Sequence, residues 1–294
     1  MKYRNMLVIA DRPEDQPGLA IQRAVAIAEP DASIHVVAFV HDNMLAEDEL
    51  YNPQESKRFQ QQLLAERKAW LDDLLAAQNS GHARLGGEVV WHKDIAGWVQ
   101  RHSAEQPCDL VIKTGNRTEN FWYTPTDWQL LRECDAPVYI GSRNAWRSQP
   151  VLLATVDIAS RNAVQVELNH KVMRHAARMA QALDSELHLA YAVPASQLML
   201  DLEAFDKSDY LRRFQQRHEK KLMEFAGEYD VKQAHVHARV GPPQKIIPQF
   251  ANELKAELVV LGSSGQRGLL GKMLGSTVEQ TMHILRTDVL SVRP

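Results

Sequence analysis

The feature that most restricts the fold is a repeat of buried-strand signals. Met6-Leu-Val-Ile-Ala10 ends in Asp11, and near the middle of the chain Val151-Leu-Leu-Ala-Thr-Val156 ends in Asp157. Continuous apolar runs of this length suit parallel strands covered on both faces. Each is followed by apolar residues at helical spacing: Ala20, Ala24, Ile27 and Ala28 in the first half, Val172, Ala176, Met179, Ala180 and Leu183 in the second. These predict helices over 19–29 and 164–183. A strand then returns in each half, and Ile34 to Val40 matches Leu187 to Val193 position for position, His35 standing against His188. Long polar stretches follow (55–78 and 210–229), then short strands (87–92 and 234–240) and helices (96–104 and 243–254). Asp109 to Ile112 and Glu257 to Leu261 predict the next strands, and Val138 to Ile140 and Val289 to Val292 the last.

Five strands alternating with four helices, written twice, describe two doubly wound α/β domains. The break falls in Ser142 to Pro150, a polar stretch ending in proline, which divides the chain into domains 1–145 and 146–294. In such sheets ligands sit beyond the carboxyl ends of the strands, where strand order reverses. Function is therefore expected in the loops after Asp11 and Asp157 and after Ile112 and Leu261.

Composition narrows the class. With 34 basic and 37 acidic residues the net charge is −3, which gives no electrostatic reason to bind nucleic acid. Residues 1–150 hold 16 Lys and Arg against 21 Asp and Glu, and the remainder 18 against 16, so phosphate chemistry suits the second half better. Two cysteines, Cys108 and Cys134, provide neither a disulfide framework nor metal-site spacing. No apolar run is long enough to span a membrane, and Met1 leads directly into a strand without a leader pattern, so a cytoplasmic address is expected.

The stretch richest in chemistry is Gly262-Ser-Ser-Gly265, nine further residues, then Gly275-Ser276-Thr277. It follows a strand and leads into a helix. Glycine lets a backbone turn and approach a ligand closely, and a helix start favours an anion, so phosphate is the natural occupant. A Walker A loop fails, because Gly271-Lys272 is followed by Met273 and Gln266 stands where the first glycine belongs. A dinucleotide fingerprint is absent after either first strand, as is a Ser-Gly-Gly-x-Asp-Ser pyrophosphatase loop.

Val240-Gly-Pro, Ile246, Ala251, Glu257 to Gly262, Gly265 and Gly275-Ser276 together resemble the universal stress protein family across the second half. Val89-Val-Trp-His92 and Thr124 to Cys134 extend the resemblance to the first half, in the manner of the family's tandem members. The resemblance implies flavodoxin-like sheets of order 3-2-1-4-5, related to the adenine nucleotide alpha hydrolases. It also implies ATP, or AMP or ADP, as ligand, a role in stress adaptation with a regulatory protein partner, and pairing of domains within the chain or into a homodimer. Carried over residue by residue, Thr155, Val156, Asp157 and Val193 would border adenine and ribose. Leu261, Gly262, Gly265, Gly275, Ser276 and Thr277 would meet the phosphates, and Asp157 could instead help hold Mg²⁺.

The first half departs from this motif. Aligning Thr126 with Ser276 puts Pro125 at the Gly275 position and Thr114 near Gly262, and the loop carries Phe121, Trp122 and Tyr123. A proline lacks the N–H that a phosphate would use, so no ATP is expected there. The aromatics either fill the cleft or, with Trp91 and Trp98, line a pocket for an apolar ligand.

Other readings are structural. Ser276-Thr-Val-Glu279 and Thr126-Asp-Trp-Gln129 are also capping boxes, but capping does not require three spaced glycines. Asp11 reads as a turn residue and Asp157 as functional. His235-x-His237 places two imidazoles on one face of a strand but lacks the third ligand a zinc site requires. His35 and His188 read as packed or hydrogen-bonded residues, the six Trp as core and interface, and 47–58 as a solvated loop and helix start. No catalytic constellation accompanies the glycine loop, although Arg267 and Lys272 could reach phosphates. The leading reading is a nucleotide-binding regulatory protein. The alternatives are slow ATP hydrolysis or phosphoryl transfer in the second half, and an apolar-ligand carrier in the first.

Overall fold

The computed structural model describes residues 3–15, 17–42, 52–78, 81–115, 125–194, 207–263, 267–268, 271–272 and 276–294. The described chain forms two compact units that meet in sequence between Arg143 and Asn144. Arg143 pairs with Asp15 at 2.6 Å, within the first unit. Just beyond it, the Trp146 indole N–H donates to Asp288 at 2.8 Å, and Glu257 accepts from Arg147 and from the Val151 N–H. The polar stretch read as a linker is thus anchored to each unit by its own contacts.

The first unit runs β1 (Tyr3–Ile9), α1 (Leu19–Ile27), β2 (Ala28–Val40), α2 (Pro53–Gln78), β3 (Arg84–Trp91), α3 (Ile95–Glu105), β4 (Leu110–Thr114), α4 (Pro125–Glu133) and β5 (Val138–Gly141). Its strands are parallel in the order β3-β2-β1-β4-β5. The second unit runs β6 (Val151–Thr155), α5 (Ala163–Leu183), β7 (Glu186–Val193), α6 (Lys207–Gly227), a 3-10 turn (Gln233–His235) and β8 (Val236–Val240). It continues with α7 (Pro243–Glu253), β9 (Leu258–Gly262), the two-residue strands β10 (Arg267–Gly268) and β11 (Gly271–Lys272), α8 (Ser276–Ile284) and β12 (Asp288–Val292). Its parallel order is β8-β7-β6-β9-β12. Both orders read 3-2-1-4-5, the order that the family resemblance implies.

The repeat holds to the level of register. Leu7 faces His35 and Leu153 faces His188; Met6 faces Leu110 and Leu152 faces Leu258. The apolar runs are buried on both faces, with Met6 to Ile9 at most 3% exposed and Leu152 to Ala154 fully covered. On α5, Val172, Ala176 and Met179 face this core together with Leu168 and Met173.

One boundary differs from the sequence reading. Helix α1 stops at Ile27 and β2 begins at Ala28, six residues before the predicted Ile34. Pro30 disfavours helical geometry at Glu29 and cannot donate to a ladder. Asp31 adopts a left-handed φ of 63°, and the register slips between the Tyr3–Ala28 and Asn5–Ser33 pairs. The strand therefore starts early, but as a bulge.

Candidate functional site

In the second unit, strand order reverses between β6 and β9, and the predicted residues at their carboxyl ends are described in part. Thr155 is buried and its hydroxyl donates to the Val260 carbonyl at 3.4 Å. Val156 is buried, while Asp157 is exposed. Val193 is fully buried, and its carbonyl accepts the Gly241 N–H at 3.0 Å. Leu261 is 3% exposed and Gly262 closes β9. Gly265 and Gly275 lie outside the described residues, as do Phe121, Trp122 and Tyr123. Ser276 opens α8, and Thr277 is exposed with its carbonyl accepting from Thr281 at 2.7 Å.

Four residues to which the sequence reading gave no role shape this end of the sheet. Asn169, buried on α5, accepts the Asp157 N–H at 3.0 Å and donates to the Asp157 carbonyl at 2.8 Å. Gln165 donates to the same Asn169 oxygen at 3.1 Å. The Asp157 backbone is thereby fixed while its carboxylate stays in solvent, accepting only the Ala159 N–H at 3.2 Å among the described contacts. Ser263 holds a buried hydroxyl that has no hydrogen-bond partner among the described residues, and the buried Tyr191 hydroxyl meets only the Ala159 backbone. Burial, then the Asp157 carboxylate, hold the Tyr191 phenol above its usual pKa. Signals for two of them existed: Asn169 interrupts an apolar helix face, and Tyr191 stands where the first copy has Ala38.

Gly262 has a packing role besides the one its motif suggests. Its φ is not in the left-handed region. A Cβ there would sit 2.9 Å from Leu168 Cγ and Cδ2 and 3.3 Å from Val172 Cγ2. The glycine lets β9 end against α5.

The first unit builds the equivalent end with charge. Lys113 stands at the Leu261 position and pairs with Asp127 at 2.8 Å, the lysine 11% exposed and the carboxylate fully covered. Lys113 also donates to the Thr114 carbonyl at 2.8 Å. Asp11, read from sequence as a turn residue, is 8% exposed, and burial raises its pKa. It lines a cavity of about 620 Å³ with Arg12, Arg67, His92, Lys93 and Lys113. Trp91 and Trp98 are absent from that lining: Trp98 packs on Phe39 and His102, and Trp91 meets His41. Helix α4 starts at Pro125, so Thr126 lies inside the first turn rather than at the cap its sequence suggested.

At the opposite, amino end of the second sheet, His235 and His237 gather around His188. The His235 and His237 rings stack on it at centroid distances of 4.3 and 5.2 Å. His235 closes the 3-10 turn rather than lying in the strand. Burial and the neighbouring imidazoles lower the His188 pKa to about 4, so the ring is neutral at pH 7. In the first copy, His35 meets Glu88 at 3.0 Å and stacks on His102.

Two doubly wound units of one strand order, with polar groups collected at the switch point, define a tandem flavodoxin-like protein. The chain belongs to the universal stress protein family, whose pattern matches residues 2–140 and 163–293. It is similar to universal stress protein E of Salmonella typhi, 30% identical over 99% of this chain and 95% of that protein. The counterpart in Escherichia coli strain K12 is 29% identical over 99% and 94%. Among solved structures, a Pseudomonas aeruginosa PAO1 protein of unknown function matches with TM-score 0.74 and 24% identity, over 99% of this chain and 93% of that one. A universal stress protein of Archaeoglobus fulgidus DSM 4304 matches with TM-score 0.61 and 17% identity, over 98% and 96%. These structures share the fold. No helix among the described residues is long and apolar enough to cross a membrane.

Proposed function

We propose that the second unit binds ATP or a related adenine nucleotide, and that the protein acts as a nucleotide-dependent regulator in the stress response. The observation that carries this reading is unmet hydrogen-bonding capacity at the switch point. The buried Ser263 hydroxyl has no partner among the described residues and the buried Tyr191 hydroxyl meets only the Ala159 backbone, near a clamped Asp157 with an exposed carboxylate. Buried polar groups are ordinarily satisfied, and a polar ligand would satisfy these. Thr155, Val156, Asp157 and Val193 would border the nucleoside, and Leu261, Gly262, Gly265, Gly275, Ser276 and Thr277 the phosphates. The start of α8 supplies backbone N–H groups and the positive end of its dipole. Mg²⁺, when bound, would supply charge neutralisation between Asp157 and the phosphates. Among the described residues no general base is aimed at the phosphate position, and the reading proposed is of binding.

The first unit is proposed not to bind ATP. Its helix begins with Pro125, and the Lys113–Asp127 pair occupies the equivalent strand end. Its cavity is bordered by Arg12, Arg67 and Lys93 as well as by Ile9, Phe39 and Ile95, a lining that suits a small molecule with both polar and apolar parts. Titration calorimetry of the nucleotide-free full chain tests the division. One ATP per chain, lost in Gly275→Pro and weakened in Asp157→Ala, supports it. Zero would remove the nucleotide reading, and two would overturn the exclusion of the first unit. A turnover assay on the same samples separates a binder from an ATPase.

A further inference from the structure

The sequence offered two histidines near one another and no third ligand. The fold supplies the rest. Glu186 and His188 lie two residues apart on β7 and so share a face of the pleat, and β7 pairs with β8 through Leu189 and Val236. That register sets His235 beside His188. One potential ligand atom from each of Glu186, His188 and His235 lies within 4.8 Å of the others. His188 Nε2 is 3.7 Å from Glu186 Oε2, and His188 Nδ1 is 2.9 Å from His237 Nε2.

We propose that Glu186, His188 and His235 form a zinc site of the two-histidine, one-carboxylate type, with His237 as the residue that orients His188. The N···N contact at 2.9 Å between His188 and His237 requires one proton between two ring nitrogens. When that proton resides on His188 Nδ1, the Nε2 lone pair is left open on the side of Glu186. A second ring nitrogen engaged by a neighbouring acceptor is the usual way a metal-binding imidazole is held. Imidazole nitrogens and a carboxylate are the donor set that Zn²⁺ accepts, with a fourth position kept open when only three protein ligands are present. Here that position faces outward: Glu186 is exposed, His235 is half-buried, and both line a cavity of about 300 Å³ with Tyr229 and Lys232.

Coordination requires one rearrangement. Lone pairs lie in the ring planes, and the His188 and His235 rings stack within 19° of parallel, so His235 must turn out of the stack to point at a shared ion. His235 sits in a half-exposed 3-10 turn, where this rotation disturbs no core residue. The site is independent of the nucleotide reading, because β7 spans about 20 Å between Glu186 and Val193.

The test is Zn²⁺ titration of the full chain after treatment with EDTA, without nucleotide and with millimolar Mg²⁺ present. One Zn²⁺ per chain with micromolar or tighter affinity is expected, and Zn²⁺ at a hundredfold excess over its Kd should raise the unfolding midpoint by about 5–10 °C. Co²⁺ substituted for Zn²⁺ should give a visible ligand-field spectrum of low coordination number. Glu186→Gln and His235→Gln, both at positions that folding tolerates, should remove the spectrum and the thermal shift. His237→Asn should weaken binding about 10–100-fold while the Co²⁺ spectrum persists. Absence of Zn²⁺ binding, or binding that Glu186→Gln and His235→Gln leave unchanged, overturns the proposal.

Discussion

Replacing Gly262 by alanine separates two reasons for a glycine at the end of β9. If the residue is there to let α5 approach, the added Cβ meets Leu168 Cγ and Cδ2 at 2.9 Å and Val172 Cγ2 at 3.3 Å. Leu168 is fully buried and Val172 is 1% exposed, so neither can swing into solvent, and one layer must shift by about half an ångström. Overpacking of this kind costs about 1–3 kcal/mol. Alanine also restricts the unfolded chain, which offsets about 0.4–1 kcal/mol where the native φ is accessible to it. The net expectation is a loss of about 1–2 kcal/mol, a fall in midpoint of about 2–8 °C for a unit of this size.

Leu168→Ala alone should cost about 2–5 kcal/mol by leaving a cavity. In the double variant the alanine Cβ enters that space, so Gly262→Ala becomes neutral or mildly stabilising, and the coupling reaches about 1–3 kcal/mol. Urea unfolding of the four proteins, followed by circular dichroism, measures it. Additivity within about 0.5 kcal/mol would refute the packing argument. A stable Gly262→Ala protein that had lost nucleotide binding would instead return the glycine to the ligand.

Three further perturbations follow from the contacts. Asn169→Leu removes both hydrogen bonds to the Asp157 backbone; it should destabilise the chain by about 1–3 kcal/mol, and weaken ATP binding more than Gln165→Ala does in calorimetry. Lys113→Met leaves the Asp127 carboxylate buried without its cation and should cost about 3–5 kcal/mol, whereas Lys113→Met with Asp127→Leu should recover most of that loss in the same urea assay. Burial raises the pKa of Asp11, so the folded state holds a proton that the unfolded chain has already released, and stability falls as pH rises from the ordinary carboxylate value through the raised one. Asp11→Asn should therefore match or exceed wild-type stability at pH 7 and lose that advantage near pH 3; an equal loss at both pH values would contradict the assignment.

The repeat, the alternation of strands and helices and most helix limits were legible because they rest on periodicity, which a single chain displays directly, whereas the strand order came only from the family resemblance. Met6 to Ile9 and Leu152 to Ala154 are buried as continuous runs, and the families of apolar positions on α5 face the sheet as spaced. The early start of β2 was missed although Pro30 announced it, since a proline ends a helix without saying whether a strand follows. Asn169, and the gathering of Glu186, His188 and His235, were less accessible. Their meaning lies in contacts spanning 12 and 47–49 residues of sequence, which no local pattern encodes. His235-x-His237 was visible, but its third ligand becomes a neighbour only once β7 and β8 are in register. Gly262 shows the opposite problem: the motif was read as a glycine that turns the backbone and approaches a ligand, whereas its φ is not left-handed and its described close neighbour is Leu168.

The comparison of the two copies also explains why their switch points differ. In the strand register shared by both units Lys113 corresponds to Leu261, and with Thr126 aligned on Ser276 Asp127 corresponds to Thr277. The first copy therefore places a carboxylate in the first turn of α4, where the positive end of the helix dipole favours an anion, and backs it with a lysine from the adjoining strand. The second copy has an uncharged leucine and threonine at these positions, and the acidic residue in the first turn of α8, Glu279, is exposed. A helix start already served by its own buried carboxylate gains little from a phosphate, and a second anion there would be repelled by the first. The helix start in the second copy has no such internal anion among its described residues. Pro125 alone would remove one N–H; Asp127 occupies the electrostatic role itself. On this account glycine at 125 alone would not give the first unit ATP binding, whereas Asp127→Thr with Lys113→Leu is the necessary first change.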